Sequence, residues 1–313
     1  MKAVVVEHRG SPGALKEMPD PQPGVHEVLV HVCAAGVNPV DWKVRDAGTR
    51  PMPYVLGQDF SGTVAAVGSA VRRYRYGERI FGVAHDRGAF AEYTLVPEES
   101  TSQPAAKIPD DVGYADAAAL PTAGITALGS LDALQAAKGT TLVVVGATGG
   151  VGTFAVQIAR DRGAHVIASG RASNERLARE LGADEYVAYD REDVFAAIAR
   201  AHPGGVDAVL DLVDDADAIG RTAGIIREGG RIVSTIHAAD AAWFSARKIL
   251  AENLRMTHTA ASSHEGLRTL VKMLEEGRLR TVIAAERPLS EAVDALEESK
   301  RGAVAGKLVL MVE

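Results

Sequence analysis

A single cysteine, Cys33, in 313 residues leaves no internal disulfide framework to hold this chain together. Basic residues are in deficit as well. The 34 Lys and Arg face 41 Asp and Glu, and the resulting charge of −7 disfavours a nucleic-acid partner. No apolar run reaches the roughly 18 residues that span a bilayer, and Met1-Lys2-Ala3-Val4 opens a strand-like run rather than a secretory signal. Low-complexity tracts, long charge runs and internal repeats are also missing. These absences exclude a disulfide-stapled secreted domain, a nucleic-acid binder and a membrane span, and the cytoplasm is the expected address. A length of 313 residues exceeds the usual single core, so two domains are expected.

The most informative stretch present is TTLVVVGATGGVG, Thr140 to Gly152. Leu142 to Val145 is a short β-branched apolar run suited to a buried parallel strand. A glycine-dense turn follows, with Gly146, Gly149, Gly150 and Gly152, and then Val151, Phe154, Ala155, Ile158 and Ala159 recur at helical spacing. Strand, tight turn and helix in that order make a phosphate cradle. Bare glycine backbone admits a pyrophosphate, and the free N–H groups of the helix start face its charge. The first position of the usual dinucleotide fingerprint holds Ala147, and Thr148 stands beside it. A structural turn without ligand uses the same glycines.

Ahead of this stretch the chain is strand-rich. Ala3–Glu7, Glu27–Cys33, Gly62–Val67, Arg79–Val83 and Ala91–Val96 read as short strands separated by Pro and Gly turns, which suggests a barrel-like β-domain. After Pro109 helices and strands alternate. The expected strands are Val166–Ser169, Glu185–Ala188, Ala208–Leu212 and Arg231–Ile236. The expected helices are Thr126–Ala137, Asn174–Leu181, Val194–Ala201 and Ala218–Ile226. That alternation is the α/β, doubly wound pattern, whose ligands sit at the carboxyl ends of the strands. Helices over Glu265–Glu276 and Ser290–Ser299 and a strand over Lys307–Val312 close the chain.

A carboxylate at the end of the second strand would bond a ribose 2′-hydroxyl and repel a 2′-phosphate. This chain has Ser169-Gly170-Arg171 there instead, with Asn174 nearby. A hydroxyl and a guanidinium suit a phosphate. NADPH is therefore the expected cofactor, although Arg171 also reads as a plain solvated loop residue.

Several ordered motifs together resemble the medium-chain dehydrogenase/reductase superfamily, specifically its zinc-free quinone oxidoreductase branch. They are GVNPVDWKVR (Gly36 to Arg45), GQDFSGTVAAVG (Gly57 to Gly68), GAFAEY (Gly88 to Tyr93), AALPTAGITAL (Ala118 to Leu128), GATGGVG, LGADEYVAYD (Leu181 to Asp190) and GKLVL (Gly306 to Leu310). The resemblance implies a GroES-like β-barrel catalytic domain (residues 1–122 and 258–313), a Rossmann domain (123–257) and a substrate cleft between them. It also implies a homodimer through the edge of the Rossmann sheet, near Leu254 to Thr259. Ala147 at the first glycine position fits this branch. The short-chain reductases need a Tyr with a Lys four residues later, and no tyrosine here has that partner.

Zinc members of the superfamily place metal ligands where this chain has Asn38, Gln58 and Thr122, none of them usual for zinc, and one cysteine cannot build a four-cysteine lobe. Cys33 reads as a buried core residue. The nine histidines show no metal spacing, so no metal is expected. Reducing a simple ketone gives an alkoxide, which calls for a Lewis acid or a strong proton donor. Hydride delivery to a quinone or an enone gives a delocalised anion that ordinary donors can hold. NADPH-dependent reduction of a quinone or α,β-unsaturated carbonyl follows. An enoyl-thioester reductase and a non-catalytic NADPH-binding protein are the alternatives.

Asn38 is the candidate to polarise the carbonyl, or else to make an Asx-turn before Pro39. Asp41, with Lys43, is a candidate proton relay or a surface ion pair. Tyr54 is a candidate to stack on a planar substrate, or plain packing. For the cofactor the resemblance adds Thr122, Thr126 near the nicotinamide (or as a helix cap), Tyr189 near the ribose phosphate, and Ile236, Gly306 and Lys307.

Overall fold

The computed structural model describes residues 1–84, 86–302 and 304–312. The chain divides into two compact units: Met1–Ile125 with Ser262–Gly277 and Thr281–Glu313, and Thr126–Ala261 with Arg278–Arg280. The expected borders at 122/123 and 257/258 stand three and four residues ahead of these, and the short return of Arg278–Arg280 is not legible in the sequence. Residue 313, the expected limit of the first unit, lies outside the described residues.

The first unit opens with β1 (Lys2–Val6), β2 (Ala14–Glu17), β3 (Glu27–Val37), α1 (Pro39–Ala47), β4 (Tyr54–Val55) and β5 (Asp59–Val67). It continues with β6 (Arg79–Val83), β7 (Tyr93–Pro97), β8 (Ala105–Lys107) and α2 (Tyr114–Ala119), and the division between units falls within α3 (Pro121–Ala133). The loop expected around Asn38 to Lys43 is instead the start of α1. Pro39 occupies the first helical position, where a missing N–H costs nothing, and Gly48 ends the helix at φ 58. Arg45 of α1, 4% exposed, bonds Asp46 at 2.8 Å and Glu297 at 2.6 Å, fixing the helix in place.

The second unit carries β9 (Thr141–Val145), α4 (Gly150–Asp161), β10 (His165–Gly170), α5 (Glu175–Leu181), β11 (Glu185–Ala188), α6 (Val194–Ala201) and β12 (Val206–Asp211). Then come β13 (Ile226–Ser234), α7 (Ala241–Ser245) and β14 (Leu250–Asn253). Its six-stranded parallel sheet runs β11-β10-β9-β12-β13-β14. Val143, Ile167, Val209 and Ile232 pack on one face with Ile198 and Phe244. The alternate residues Leu142, Val144, Val166 and Leu210 are equally buried, so both faces are covered, as a parallel sheet requires. The helix expected over Ala218–Ile226 is only a 3-10 turn at Ile219–Gly224, and β13 begins at Ile226. Two glycines in the turn and the β-branched Ile225-Ile226 disfavour a full helix.

The chain returns to the first unit through α8 (His264–Glu275), β15 (Ile283–Pro288), α9 (Ala292–Lys300) and β16 (Lys307–Met311). β16 pairs with β3, extending the sheet β15-β16-β3-β5-β6-β8, to which β7 adds on β3. Val30, Phe60, Ile80, Phe90, Leu296 and Leu310 belong to its core. At Gly36 of β3 a Cβ would stand 2.3 Å from the Ala118 carbonyl oxygen and 3.2 Å from Asp59 Cβ, so only glycine lets α2 lie this close. Gly36→Ala should therefore destabilise the protein by about 1–3 kcal/mol, the cost of overpacking a filled core, read as a lower midpoint in urea unfolding.

Candidate active site

In the second unit β9 ends at Gly146, whose φ of 83° suits glycine. A Cβ on Gly152 would stand 2.2 Å from the Gly146 oxygen, so the turn can fold back on α4 only because this residue is bare. Gly149 differs. A Cβ there would meet nothing nearer than 3.5 Å, so packing does not demand the glycine, and the space it leaves lies at the start of α4. The first-turn N–H groups of that helix, from Gly150 and Val151 on, have no intrahelical acceptor. An open cradle facing unsatisfied donors fits a dinucleotide pyrophosphate.

The neighbouring residues gather at the carboxyl end of β10. Ala147 N donates to the Ser169 carbonyl at 2.9 Å, and Asn174 Nδ2 donates to Thr148 Oγ1 at 3.2 Å. Gly170 is closed in by Tyr186, whose hydroxyl would be 2.5 Å from a Cβ and donates to the Arg171 carbonyl at 2.6 Å. The Arg171 guanidinium stands 5.7 Å from the centre of the Tyr189 ring, which is 51% exposed. Among the described residues Arg171 makes no ion pair. The nearby Asp190 is turned onto Ala172 N at 2.8 Å. Ile236 follows two residues past β13, and Thr126 lies mid-helix in α3 at 8% exposure, not at the helix start where a cap would stand.

The first unit holds a buried charged network. Asp59 of β5, fully buried, accepts from Asn38 Nδ2 at 2.9 Å, Thr122 N at 3.0 Å and Thr122 Oγ1 at 2.5 Å. Lys307, which follows Gly306 at the start of β16 and is 3% exposed, donates to the Val37 carbonyl at 2.8 Å and to Asn38 Oδ1. The Asn38 backbone N–H in turn donates to Asp41 Oδ2 at 2.8 Å. Burial pushes the Lys307 ammonium down, against the charges of Asp59 and Asp41. Burial likewise raises the Asp59 carboxyl, opposed by Lys307 and its hydrogen bonds. For Asp41 burial lifts the carboxyl to about 7, against the bond from Asn38, and Asp59 adds to the rise.

Beside this network Asp41, Val44, Arg50, Tyr54, Leu56 and Gln58 line a small hollow. Among the described residues Asp41 Oδ1 and the Tyr54 hydroxyl, both buried, have no hydrogen-bond partner. Such groups are costly in a settled core and common at binding sites.

Several expectations change in consequence. Both ends of the Asn38 amide are engaged by Asp59 and Lys307, and the residue is 2% exposed, so it braces the network instead of reaching a carbonyl. Asp41 is buried while Lys43 is exposed against the Trp42 ring, so they form neither a relay nor a surface pair. Thr122 and Lys307, assigned to the cofactor, are held by Asp59 and Asn38. Cys33 is half-buried on β3 and not a core residue. Asp59, the first residue of β5, stands in the motif GQDFSGTVAAVG but carries no pattern that marks it as buried. Asp211, at the carboxyl end of β12, was missed too. It is fully buried, and burial raises its carboxyl to about 7.

A doubly wound sheet ending in an open phosphate cradle, joined in one chain to a barrel-like unit with a buried polar site, suits a dinucleotide-dependent oxidoreductase. Comparison with known proteins narrows this class. Residues 24–110 match the alcohol dehydrogenase GroES-like domain, and residues 181–310 match the zinc-binding dehydrogenase family. The chain is 32% identical to a chloroplast envelope quinone oxidoreductase homolog of Arabidopsis thaliana, over 94% of this chain and 92% of that protein. It is 31% identical to a 2-methylene-furan-3-one reductase of Solanum lycopersicum, over 91% of this chain and 71% of that one. The solved quinone oxidoreductase of Coxiella burnetii superposes with a TM-score of 0.90 at 31% identity, covering 100% of this chain and 99% of the other. The chain belongs to the medium-chain dehydrogenase/reductase superfamily, in its quinone oxidoreductase-like branch. It is an oxidoreductase with a nicotinamide cofactor.

The family name implies zinc, and the residues at the expected ligand positions do not fit it. Asn38 is locked between Asp59 and an ammonium group, and the Thr122 hydroxyl donates to Asp59. A zinc site needs thiolate, imidazole or carboxylate donors with free lone pairs. Among the described residues no helix is long and apolar enough to cross a membrane.

The raised Asp41 carboxyl has a pH signature. It keeps its proton up to about pH 7 when folded but releases it near 3.8, its ordinary value, when unfolded. Between those values the folded protein binds more protons, so stability from this group is full below about pH 4 and is lost as pH rises through 7. Urea midpoints should show the wild type losing ground to Asp41→Asn over that window. A constant difference from pH 4 to 8 would mean that Asp41 is not the titrating group.

Proposed function

We propose that this protein is a zinc-independent, NADPH-dependent reductase of quinones and other α,β-unsaturated carbonyl compounds. The observation that carries the reading is the pair of unpartnered buried oxygens, Asp41 Oδ1 and the Tyr54 hydroxyl, on residues lining one hollow of the first unit. A carbonyl oxygen set there receives an O–H from Tyr54 and, near neutral pH, a second from protonated Asp41. When bound, NADPH supplies a hydride. Negative charge then grows on the carbonyl oxygen of the acceptor, where Tyr54 stabilises it and Asp41 Oδ1 holds a transferable proton. Lys307 adds positive potential through the network, and Asn38, Asp59 and Thr122 hold Asp41 and Lys307 in register. These are hydrogen-bond donors of ordinary strength. They match a delocalised enolate or phenolate better than the localised alkoxide of a simple ketone.

For the cofactor, the absence of a carboxylate at Ser169-Gly170-Arg171 and the unpaired Arg171 guanidinium favour a 2′-phosphate, framed by Thr148, Asn174 and Tyr189. Names of relatives point to the acceptor class, since one is a quinone oxidoreductase homolog and another an enone reductase. A cytoplasmic homodimer belongs to the same proposal. Its pairing edge is β14, the end strand of the parallel sheet, which lies just before the Leu254 to Thr259 stretch first expected to carry it.

NADPH oxidation followed against quinones, alkenals, enoyl thioesters and simple ketones tests the reading. Turnover of the first two classes is expected. Activity confined to simple ketones, or activity that a chelator removes and Zn²⁺ restores, overturns it. Asp41→Asn should lower kcat by about 10²-fold or more with a smaller change in KM. Arg171→Ala should weaken NADPH roughly 10- to 100-fold, the worth of a charge-assisted hydrogen bond, and leave NADH nearly unchanged. Equal losses for both cofactors would remove Arg171 from that role.

A further inference from the structure

We infer that His165, Glu185 and His202 form a binding site for one divalent transition ion of the Zn²⁺ type, at the amino end of the parallel sheet of the second unit. These residues are far apart in sequence, so their spacing gave no signal. The fold gathers them. Glu185 begins β11 and is in register with Ile167 of β10, so their side chains share a face of the sheet. His165 begins β10 two residues before Ile167 and projects from that same face. The face is the one covered by α6, whose Ile198 packs on Ile167 and Val187, and His202 caps the carboxyl end of that helix.

The donor atoms converge. His165 Nε2 lies 2.6 Å from Glu185 Oε1, and His202 Nε2 lies 3.1 Å from the same oxygen and 3.2 Å from Oε2. One donor atom from each residue falls within 4.8 Å of the others. Metal–ligand bonds of about 2.0–2.2 Å place tetrahedral ligands about 3.3 Å apart, so small side-chain rotations open the cluster around an ion. Two imidazoles and one carboxylate are a usual set of three protein ligands for zinc, with water in the fourth position.

Two further features single this cluster out from an ordinary hydrogen-bonded surface group. His165 Nδ1 faces Asp184 Oδ2 at 3.5 Å, and that oxygen is itself fixed by Val166 N at 2.8 Å. Both ring nitrogens of His165 thus face carboxylates, and an ion at Nε2 leaves Nδ1–H for Asp184, the outer carboxylate that zinc-bound histidines commonly have. His202 stands at the carboxyl end of α6, whose partial negative charge favours a cation. Side-chain exposures of 43%, 38% and 22% for His165, Glu185 and His202 leave an entry path from solvent.

An ion here clips the starts of β10 and β11 to the end of α6, at the end of the strands opposite to the Gly146 turn. It takes no part in hydride transfer.

Chelator-treated full-length protein titrated with ZnCl₂ by calorimetry should bind one ion per chain at this site. His165→Ala, His202→Ala and Glu185→Gln should each lose it, and Asp184→Asn should keep it with a roughly 10-fold or greater rise in Kd. NADPH oxidation should continue in His202→Ala. Co²⁺ added to the wild type gives a measurement that needs no variant, with the strong visible bands of a four-coordinate ion expected. An ion retained in the His165→Ala/His202→Ala double variant, or no Zn²⁺ binding together with only the weak bands of six-coordinate Co²⁺, overturns the assignment.

Discussion

Two carboxylates and one ammonium group, all nearly inaccessible to water, set the terms for the first unit. Asp59 sits in β5, Lys307 in β16 and Asp41 in the first turn of α1, at 0%, 3% and 2% exposure. Unpaired charges at such depth are untenable, and the local architecture answers that constraint. Asn38 uses its carbonyl for Lys307 and its amide for Asp59. Thr122 gives Asp59 two more bonds, and the Val37 carbonyl accepts a hydrogen bond from Lys307. Even the glycine at 36 belongs to this account, because the Ala118 carbonyl must approach β3 closely while Asp59 stands alongside. A network of this type stabilises little by itself compared with an apolar core of the same volume. Its use lies in holding a particular proton at a particular place.

That place is Asp41. One of its oxygens is tied to the Asn38 backbone, and the other has no partner. A carboxyl in this position is bistable near neutral pH, because burial favours the neutral form while Lys307 and the Asn38 N–H favour the charged one. Under the proposed function such a carboxyl can hold a transferable proton near neutral pH. It also bears on the acceptor. In the proposed reaction a buried ammonium supplying field and a neutral acid supplying a proton would suit a delocalised anion.

The cofactor half of the molecule was the more legible in sequence, for a physical reason. A phosphate cradle is built from consecutive residues, and glycine leaves a local mark: a positive φ at Gly146 and a close approach at Gly152. The alternation of strands and helices around it is equally local. The barrel site is assembled from residues 38, 41, 54, 59, 122 and 307, and no periodicity links them. Asn38, Asp41, Thr122 and Lys307 can each be singled out, but Asp59, which joins them, cannot, so the sequence reads an amide that braces two charges as a substrate contact. The short strands β2, β4 and β8 and the edge strand β14 were likewise hidden. Two to four residues carry too little pattern, and such strands exist because a neighbour accepts their hydrogen bonds.

Histidine spacing was misleading in the same way, and this separates two questions that a family name runs together. Whether the chain binds zinc depends on where imidazoles and carboxylates meet, and His165, Glu185 and His202 meet at the amino ends of parallel strands. Whether zinc assists the reaction is a separate matter, and at the expected ligand positions Asn38 and Thr122 are taken up by Asp59 and Lys307. In a doubly wound sheet ligands to be turned over collect at the carboxyl ends, because the crossover loops there are free to vary. The amino ends are free for groups that hold strands and helices together. An ion at that end would stabilise the sheet without touching the hydride, so zinc content alone is no measure of zinc catalysis in a chain of this kind.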